Sequence, residues 1–385
     1  MKISAIICEY NPFHNGHKYQ IATTRFITNC DAVVGLMSGN FVQRGDVAIF
    51  DKHTRATAAI LSGIDLLLEL PAVLTLHSAE IYARNAITTL NALTCVDFLS
   101  FGAECDDISS LSKIAKTLAF ESFEFTQRLK KHLDSGLSFA NARAIAVSEV
   151  LNDDICEILK TPNNILAIEY LKALYRTKSA ITPIAIKRVG AGHDDLKSTN
   201  SFASATYIRN LISSNTAISS EFMPHDCTET FNKEATFSIK NIETSIILNI
   251  CKMSLSELEN ISDVTEGLEN RIKKLAMESK FNNIDDLASA IKSKRYAFSR
   301  IRRILLASLL NISKDDQQTL PKYIKILDFN QTGRDILNQI KKTTSLPLAK
   351  NMNGIKSDKD AVLMWERELL FDRIYSLCKD DILLN

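Results

Sequence analysis

Short apolar runs alternate with longer amphipathic stretches over the first two hundred residues of the chain. The apolar runs occupy residues 3–8, 32–37, 66–70 and 98–101. They are hydrophobic without alternation, which is typical of strands that are covered on both faces in a parallel sheet. The amphipathic stretches are long enough for right-handed helical crossovers, and they occupy residues 18–29, 54–61 and 79–93. This part of the chain therefore predicts an α/β fold with a doubly wound parallel sheet.

The pattern changes twice further along the chain. Residues 106–178 are mostly helical, and a last strand is predicted at residues 181–189. Beyond residue 215, amphipathic helical stretches follow one another with little strand signal. They occupy residues 239–252, 256–259, 264–278, 284–291, 298–310 and 333–342. We therefore predict an α/β domain over residues 1–215 and a mainly helical second domain over residues 216–385.

Composition narrows the class of protein. The 385 residues are 45% hydrophobic and 24% charged, which is typical of a chain that buries a core. No segment approaches the roughly 18 uncharged residues of a membrane span, and the apolar run after Lys2 is too short for a signal peptide. The eight cysteines are scattered without a C-x-x-C pair. We expect a cytoplasmic protein with reduced thiols and no membrane partner.

A turn between the first strand and the first helix carries the clearest chemistry. It reads EYNPFHNGHKY over residues 9–19. Ligands of open α/β sheets bind at this carboxyl edge, and a helix N-terminus there attracts anions. His14 and His17 lie three residues apart, so they project from one side of the helix. Gly16 between them lets a flat ring approach the backbone. The pair therefore predicts two hydrogen-bond donors that can stabilise the charge that develops on a phosphate group as it reacts.

The spacing of the two histidines is open to other interpretations. A histidine pair three residues apart is also found in zinc half-sites and on solvated helix faces. The remaining histidines are isolated, and no cysteine lies at metal-ligand spacing from the pair. Phosphate is therefore favoured over zinc, and no metal ligand is predicted.

A second candidate phosphate site follows the loop at residues 190–203. Ser204 is placed to cap a helix, where its hydroxyl and the adjacent N–H groups can bind phosphate oxygens. Arg209 follows at a distance suited to a bidentate contact. An ordinary capped helix with a surface arginine explains the same residues.

Together, the H-x-G-H turn and the S-x-T-x-I-R helix start resemble the HxGH nucleotidyltransferases, adenylyltransferases with a Rossmann-like sheet that attack the α-phosphate of ATP. Seven longer stretches, which span nearly the whole chain, resemble the bacterial tRNA(Met) cytidine acetate ligase family. They are residues 9–17, 37–45, 65–71, 101–104, 162–166, 294–303 and 328–334.

The resemblance implies an ATP-dependent ligase with a nucleotidyltransferase-like catalytic domain. Such an enzyme activates acetate as acetyl-adenylate and acetylates N4 of the wobble cytidine of elongator tRNA(Met). His14 and His17 would be its catalytic residues, and Mg²⁺ is expected to bridge the ATP phosphates, although no acidic motif marks its ligands. The alternatives are another adenylyltransferase of the superfamily, acting on a small phosphorylated precursor, and a non-catalytic RNA-binding protein.

The resemblance also implies an ATP site built from the first turn and several later positions. Three of the later positions have structural alternatives: Gly102 could form a plain turn, Asn163 could cap a helix, and Arg188 could be a charge on an edge strand. The expected contacts are Ile7, Cys8, Glu9, Tyr10, Asn11, Pro12, Phe13, His14, Asn15, Gly16, His17, Lys18, Tyr19, Gln20, Gly102, Asn163, Arg188, Ser204 and Arg209.

Two basic segments are candidate RNA contacts. Residues 292–303 contain six basic residues and no acid, with Tyr296 available to stack on a base. A second segment, near residue 52, is expected to meet RNA backbone or the carboxylate of acetate. A solvated helix face is the alternative for both segments, and RNA contact is favoured for residues 292–303. The candidates are Lys52, Arg55, Lys292, Lys294, Arg295, Arg300, Arg302 and Arg303.

Overall fold

The computed structural model describes residues 1–153, 155–188, 202–214, 220–265, 267–278, 280–293 and 295–380. Lys294, most of the loop before Ser204 and the predicted domain boundary at residue 215 lie outside the described residues. The division into two domains therefore stays a prediction.

The strands of the described residues are β1 (Ile3–Cys8), β2 (Ala32–Ser38), β3 (Phe41–Val42), β4 (Asp46–Val47), β5 (Leu66–Leu70), β6 (Phe98–Ala103), β7 (Thr182–Lys187), β8 (Ile324–Phe329) and β9 (Leu348–Ala349). The helices are α1 (Asn15–Thr28), α2 (Lys52–Leu61), α3 (Ala72–Thr75), α4 (Ala79–Leu93), α5 (Ile108–Ala119), α6 (Phe123–Asp134), α7 (Phe139–Leu151), α8 (Pro162–Arg176), α9 (Ala205–Ser213), α10 (His225–Phe231), α11 (Glu243–Lys252), α12 (Leu255–Glu259), α13 (Leu268–Met277), α14 (Ile284–Ile291), α15 (Phe298–Leu310), α16 (Gln331–Ile340) and α17 (Lys359–Ser376).

Seven strands form one sheet in the order β7-β6-β1-β2-β5-β8-β9. The five strands from the first half of the chain run parallel, with Ile6 of β1 opposite Gly35 on one side and Ser100 on the other. Every residue of β2 and β5 is buried, as continuous hydrophobicity predicts. The predicted α/β class and its five strands are confirmed, and the carboxyl ends of these strands share one edge.

The C-terminal region extends this sheet. Strand β8 pairs antiparallel with β5, and β9 pairs with β8. One hydrophobic core contains Leu68 of β5 together with Ile304 of α15 and Phe371 of α17. The predicted helices of this region are present, but β8 was not predicted, because Lys325 and Asp328 interrupt its apolar run. The two halves of the chain therefore share a core.

The helices that the structure describes include none with the length and hydrophobicity of a membrane span.

A hairpin of β3 and β4 joins the first half of the chain to α15. Gly45 at its tip has a φ of +80°, and a Cβ there would lie 2.5 Å from the backbone nitrogen of Arg303. The guanidinium of Arg302 donates to the Gly45 carbonyl at 3.2 Å. This close approach, which only glycine permits, holds the start of α15 over the carboxyl edge of the sheet.

Candidate active site at the carboxyl edge of the sheet

A cavity of about 580 Å³ opens at the carboxyl ends of β1 and β6. The turn before α1, the start of α9 and the β3–β4 hairpin form part of its wall. The predicted ATP contacts that line it are Ile7, Cys8, Glu9, Tyr10, Asn11, His14, His17, Gln20, Gly102, Asn163, Arg188, Ser204 and Arg209.

The remaining predicted ATP contacts lie beside or behind this wall. Gly16 and Tyr19 line a smaller adjoining cavity of about 50 Å³. Phe13 is buried against Tyr10, and Asn15 donates its backbone N–H to the Phe222 carbonyl at 2.9 Å. Pro12 and Lys18 line neither cavity, so the structure does not bring all of the predicted stretch together.

The two histidines of the turn form a stacked pair at the start of α1. Their ring centroids lie 3.7 Å apart, with 25° between the ring planes. His14 is the N-cap residue, and its Nδ1 accepts the Gly16 N–H at 3.0 Å. Nδ1 of His17 accepts the backbone N–H of His14 at 3.2 Å, which completes a reciprocal capping box. The caps fix both rings on the cavity wall.

These hydrogen bonds determine what the imidazoles offer to a ligand. Burial, with the nearby Arg188 and Arg209 charges as smaller causes, lowers the pKa of His14 to about 3. Burial and the neighbouring His14 hold the pKa of His17 well below its ordinary value. Both rings are therefore neutral at pH 7. Because each Nδ1 accepts a backbone N–H, each neutral ring carries its proton on Nε2. The pair offers two N–H donors, which suits phosphate oxygens.

The burial of neutral His14 predicts a pH-dependent stability. His14→Asn should keep the N-cap, since asparagine caps helices well. Wild-type His14 stays neutral when folded but is protonated in the unfolded chain below about pH 6.5. As pH falls below that value, the wild type should lose stability relative to the variant, by up to about 1.4 kcal/mol per pH unit. Urea unfolding of both proteins at pH 7.5 and 5.5 measures this difference, and an equal difference at both values would contradict it.

Among the described residues, four arginines lie in the cavity wall, namely Arg44, Arg188, Arg209 and Arg303. Arg209 donates to the Asn11 carbonyl at 2.7 Å and to the Thr206 hydroxyl at 3.1 Å, so α9 is tied to the histidine turn. Ser204 caps α9 by accepting the Tyr207 N–H at 3.0 Å, as predicted. Such a concentration of guanidinium groups suits a polyanionic ligand.

The later ATP positions are also held by specific contacts. A Cβ on Gly102 would lie 3.4 Å from Cγ of Arg188, so the arginine packs against the end of β6 at this position. The Asn163 amide donates to Glu104 Oε1 at 2.6 Å, and Glu104 Oε2 accepts the Asn164 N–H at 2.8 Å. Asn163 is therefore oriented by a carboxylate and is not itself the N-cap of α8, which is Thr161.

Comparison with known proteins identifies the family. Residues 1–384 match the HIGH Nucleotidyl Transferase family. The chain is 42% identical over 386 residues to the tRNA(Met) cytidine acetate ligase of Thermoanaerobacter sp. strain X514, covering 98% of this chain and 95% of that protein. It is 40% identical over 403 residues to that of Clostridium kluyveri strain ATCC 8527, covering 100% and 97%. This chain belongs to the tRNA(Met) cytidine acetate ligase family.

Solved structures agree with this assignment. Thermotoga maritima TmcAL in its apo form I gives a TM-score of 0.93 at 31% identity, covering 99% of this chain and 96% of that one. The same protein bound with alpha-thio ATP gives 0.90 at 31% identity, covering 99% and 95%. The predicted family and fold class are confirmed.

Several cavity residues of this family member were not predicted from sequence. Gln43, Asp46 and Ser299 line the cavity along with Arg44, and the Gln43 side chain donates to the His77 carbonyl at 2.8 Å. They come from the hairpin and from α15. Polarity in the loop after β2 is a weak signal for the hairpin residues. No local signal brings Ser299 to this edge, because its position depends on how α15 packs.

The expectation that Lys52 and Arg55 contact RNA or acetate is wrong. Lys52 is buried and pairs with Glu69 at 3.0 Å and Asp372 at 2.6 Å. Arg55 is fully buried, and its guanidinium donates to four backbone carbonyls. Glu69 also pairs with Lys325 at 2.7 Å. These buried ions link α2 and β5 to the C-terminal region.

The basic segment before and within α15 is divided by the structure. Lys292 and Arg295 are exposed. Arg302 pairs with Asp46 and Asp285, and the buried Arg303 pairs with Asp263 at 2.9 Å.

Two further residues of this segment are turned inward. Tyr296 is buried, with the Arg300 guanidinium 5.4 Å from its ring centroid. Arg300 also donates to the Asp263 carbonyl at 2.7 Å. The expectation of base stacking by Tyr296 is therefore corrected, because the ring is buried. RNA contact by Arg302 is corrected as well, because two carboxylates hold its guanidinium, whereas Arg303 pairs with Asp263 and also lines the main cavity.

Proposed function

We propose that this chain activates acetate with ATP and transfers the acetyl group to N4 of the wobble cytidine of elongator tRNA(Met). The observation that carries the proposal is the stacked pair of neutral His14 and His17 in the wall of an arginine-rich cavity. The names of the family members support the substrate, and the alpha-thio ATP complex of the Thermotoga protein supports the nucleotide. A tRNA substrate places the reaction in the cytoplasm, where the eight free cysteines are expected.

In the first step, a carboxylate oxygen of acetate attacks the α-phosphorus of ATP. The new O–P bond forms as the bond to the bridging oxygen breaks, and pyrophosphate leaves. Charge on the equatorial oxygens increases in the transition state. Two fixed N–H donors from His14 and His17 stabilise that charge without transferring a proton. Arg209 and Ser204, at the start of α9, are placed to bind further phosphate oxygens.

In the second step, N4 of cytidine attacks the acetyl carbonyl of acetyl-adenylate. A C–N bond forms, the C–O bond to the phosphate breaks, and AMP leaves with the bonding electrons. One proton must leave N4. Activation is needed because the exocyclic amine is a weak nucleophile and oxide is a poor leaving group, whereas AMP leaves readily from a mixed anhydride.

Mg²⁺ would enter with ATP. The described residues contain no group of three or more side chains that could hold a metal ion. Mg²⁺ keeps several waters and binds mainly through substrate phosphates in such sites. We therefore assign Mg²⁺ no protein ligand. When bound with ATP, it would neutralise part of the charge on the leaving pyrophosphate.

The thirteen predicted ATP contacts that line the main cavity form the proposed ATP site. For RNA, we propose the exposed Lys292 and Arg295 together with the cavity mouth. Arg295 precedes the cavity residue Ser299 by four positions, so their Cα atoms are at most about 15 Å apart. An RNA chain bound at these cations could therefore reach the cavity.

Reversing these two charges should weaken tRNA binding. In Lys292→Glu/Arg295→Glu, the salt dependence of binding should fall by about one unit of log–log slope per lost phosphate contact. Acetate-dependent pyrophosphate exchange should be unchanged. The control Lys2→Glu/Lys178→Glu makes the same change in net charge at exposed lysines near the amino ends of β1 and β7, on the opposite edge of the sheet. Equal effects of both double variants would remove the segment from the RNA site.

One assay separates the candidate functions. Labelled pyrophosphate should exchange into ATP only when acetate is present. Exchange that requires a phosphorylated precursor would instead identify another adenylyltransferase of the superfamily. If no exchange occurs under any of these conditions, RNA binding without catalysis is the remaining candidate function.

A further inference from the structure

We propose that Glu9 is the general base of acetyl transfer, the group that takes the proton from N4 of cytidine. This inference rests on the proposed function and assigns a residue to its second step. Glu9 follows β1 directly, is half-buried and lines the main cavity. It therefore stands at the same strand end as the histidine turn.

The Glu9 carboxylate is held by one oxygen. Oε1 accepts the backbone N–H of Gln43 at 2.8 Å, which ties the carboxylate to the β3–β4 hairpin. Oε2 accepts no hydrogen bond from the described residues, and Glu9 forms no ion pair among them. One oxygen is thus positioned and the other is available to a ligand in the cavity, which is the geometry a general base requires.

The other titratable groups of the wall are less suited to accept this proton. In each neutral histidine, Nδ1 accepts a backbone N–H and Nε2 already carries a proton. The carboxylate of Asp46 pairs with Arg302 at 3.2 Å and accepts the Val47 N–H at 2.9 Å. Burial raises the pKa of the Cys8 thiol, so it stays protonated.

The phenols at this end of the cavity are also protonated. Burial is the largest cause that raises the pKa of Tyr82 and of Tyr170, and the nearby Glu9 charge raises it further. The three side chains therefore lie close enough to interact. Both phenols therefore stay protonated, and Glu9 remains the carboxylate of this wall with an oxygen that accepts no hydrogen bond from the described residues.

The proton balance of the step is complete with Glu9 as acceptor. N4 begins as an amine with two hydrogens and ends as an amide with one. The nitrogen lone pair forms the bond to the acetyl carbon, the electrons of the C–O bond leave with AMP, and the released proton moves to the free oxygen of Glu9. No oxidant, reductant or further reactant is needed.

Glu9→Gln tests the role while keeping the local structure. The glutamine carbonyl oxygen can still accept the Gln43 N–H, but the side chain cannot take a proton. Chemically prepared acetyl-adenylate and transcribed elongator tRNA(Met) start the reaction at the second step. We expect single-turnover acetyl transfer to be at least about 100-fold slower than in wild type. Acetyl transfer should fall by a much larger factor than acetate-dependent pyrophosphate exchange, and an unchanged urea unfolding midpoint shows that the variant is folded.

Glu9→Ala gives a second, independent readout. Formate can enter the space that the side chain leaves and act as a diffusible base. Formate should therefore increase acetyl transfer in Glu9→Ala and leave Glu9→Gln unchanged. Transfer at wild-type rates in Glu9→Gln would overturn the proposal, as would an equal loss of exchange and transfer, which would place Glu9 in the first step. If wild type itself fails to transfer from acetyl-adenylate, the proposed function fails instead.

Discussion

His17→Ala should reduce acetate-dependent pyrophosphate exchange by about 10²- to 10³-fold or more, while tRNA affinity changes by no more than a few-fold. The imidazole provides one of two N–H donors at the reacting phosphate, and loss of one such donor has an effect of this size. RNA binding should not change, because the proposed RNA surface includes no part of this ring. Exchange kinetics and filter binding of labelled tRNA measure the two quantities.

His17 also caps α1, so its two roles must be separated. His17→Gln is the matched control, since glutamine at the third helical position completes a capping box. This variant should unfold at nearly the wild-type urea concentration and still lack exchange activity. Wild-type exchange in His17→Gln would show that the cap alone matters. Parallel losses of exchange and RNA affinity in His17→Ala would refute the division between the two sites.

Local patterns predicted the part of the fold that local physics determines. The buried strands β1, β2, β5 and β6 have continuous apolar runs that few other structures accommodate. The histidine turn was predictable for a similar reason, because a motif at the first strand end lies at the ligand edge of any doubly wound sheet. The capping box that fixes the imidazole tautomers was not predicted, although its residues are adjacent in sequence.

Long-range pairing accounts for the errors. Lys52 looks like a surface cation in the sequence, but Glu69 and Asp372 surround it in the fold. Strand β8 contains charged residues because Lys325 neutralises Glu69 from the neighbouring strand. A sequence window cannot reveal either partner, since they lie 17 to 320 residues away. The prediction that the basic residues of segment 292–303 face RNA was partly inaccurate for the same reason, because their acidic partners come from other segments.

Among stability effects, the largest is expected for Arg55→Met. The Arg55 side chain is fully buried and donates to the carbonyls of Phe50, Glu9, Ser38 and Gly39 at distances between 2.5 and 3.2 Å. Methionine fills much of the volume but donates nothing. Each orphaned carbonyl costs about 1–3 kcal/mol, partly recovered where water enters. We expect a loss of about 4 kcal/mol in the free energy of unfolding, measured by urea denaturation.

His53→Ala on the same helix provides the control, since His53 is exposed and its loss should change stability by no more than about 0.5 kcal/mol. Arg55→Lys should fall between the two, because one ammonium group cannot reach carbonyls that a planar guanidinium spans. The same carbonyl network fixes the backbone of Glu9 beside the loop after β2. Arg55→Lys should therefore slow acetyl transfer more than pyrophosphate exchange. If Arg55→Met is as stable as His53→Ala, these four hydrogen bonds do not hold the carboxyl edge together.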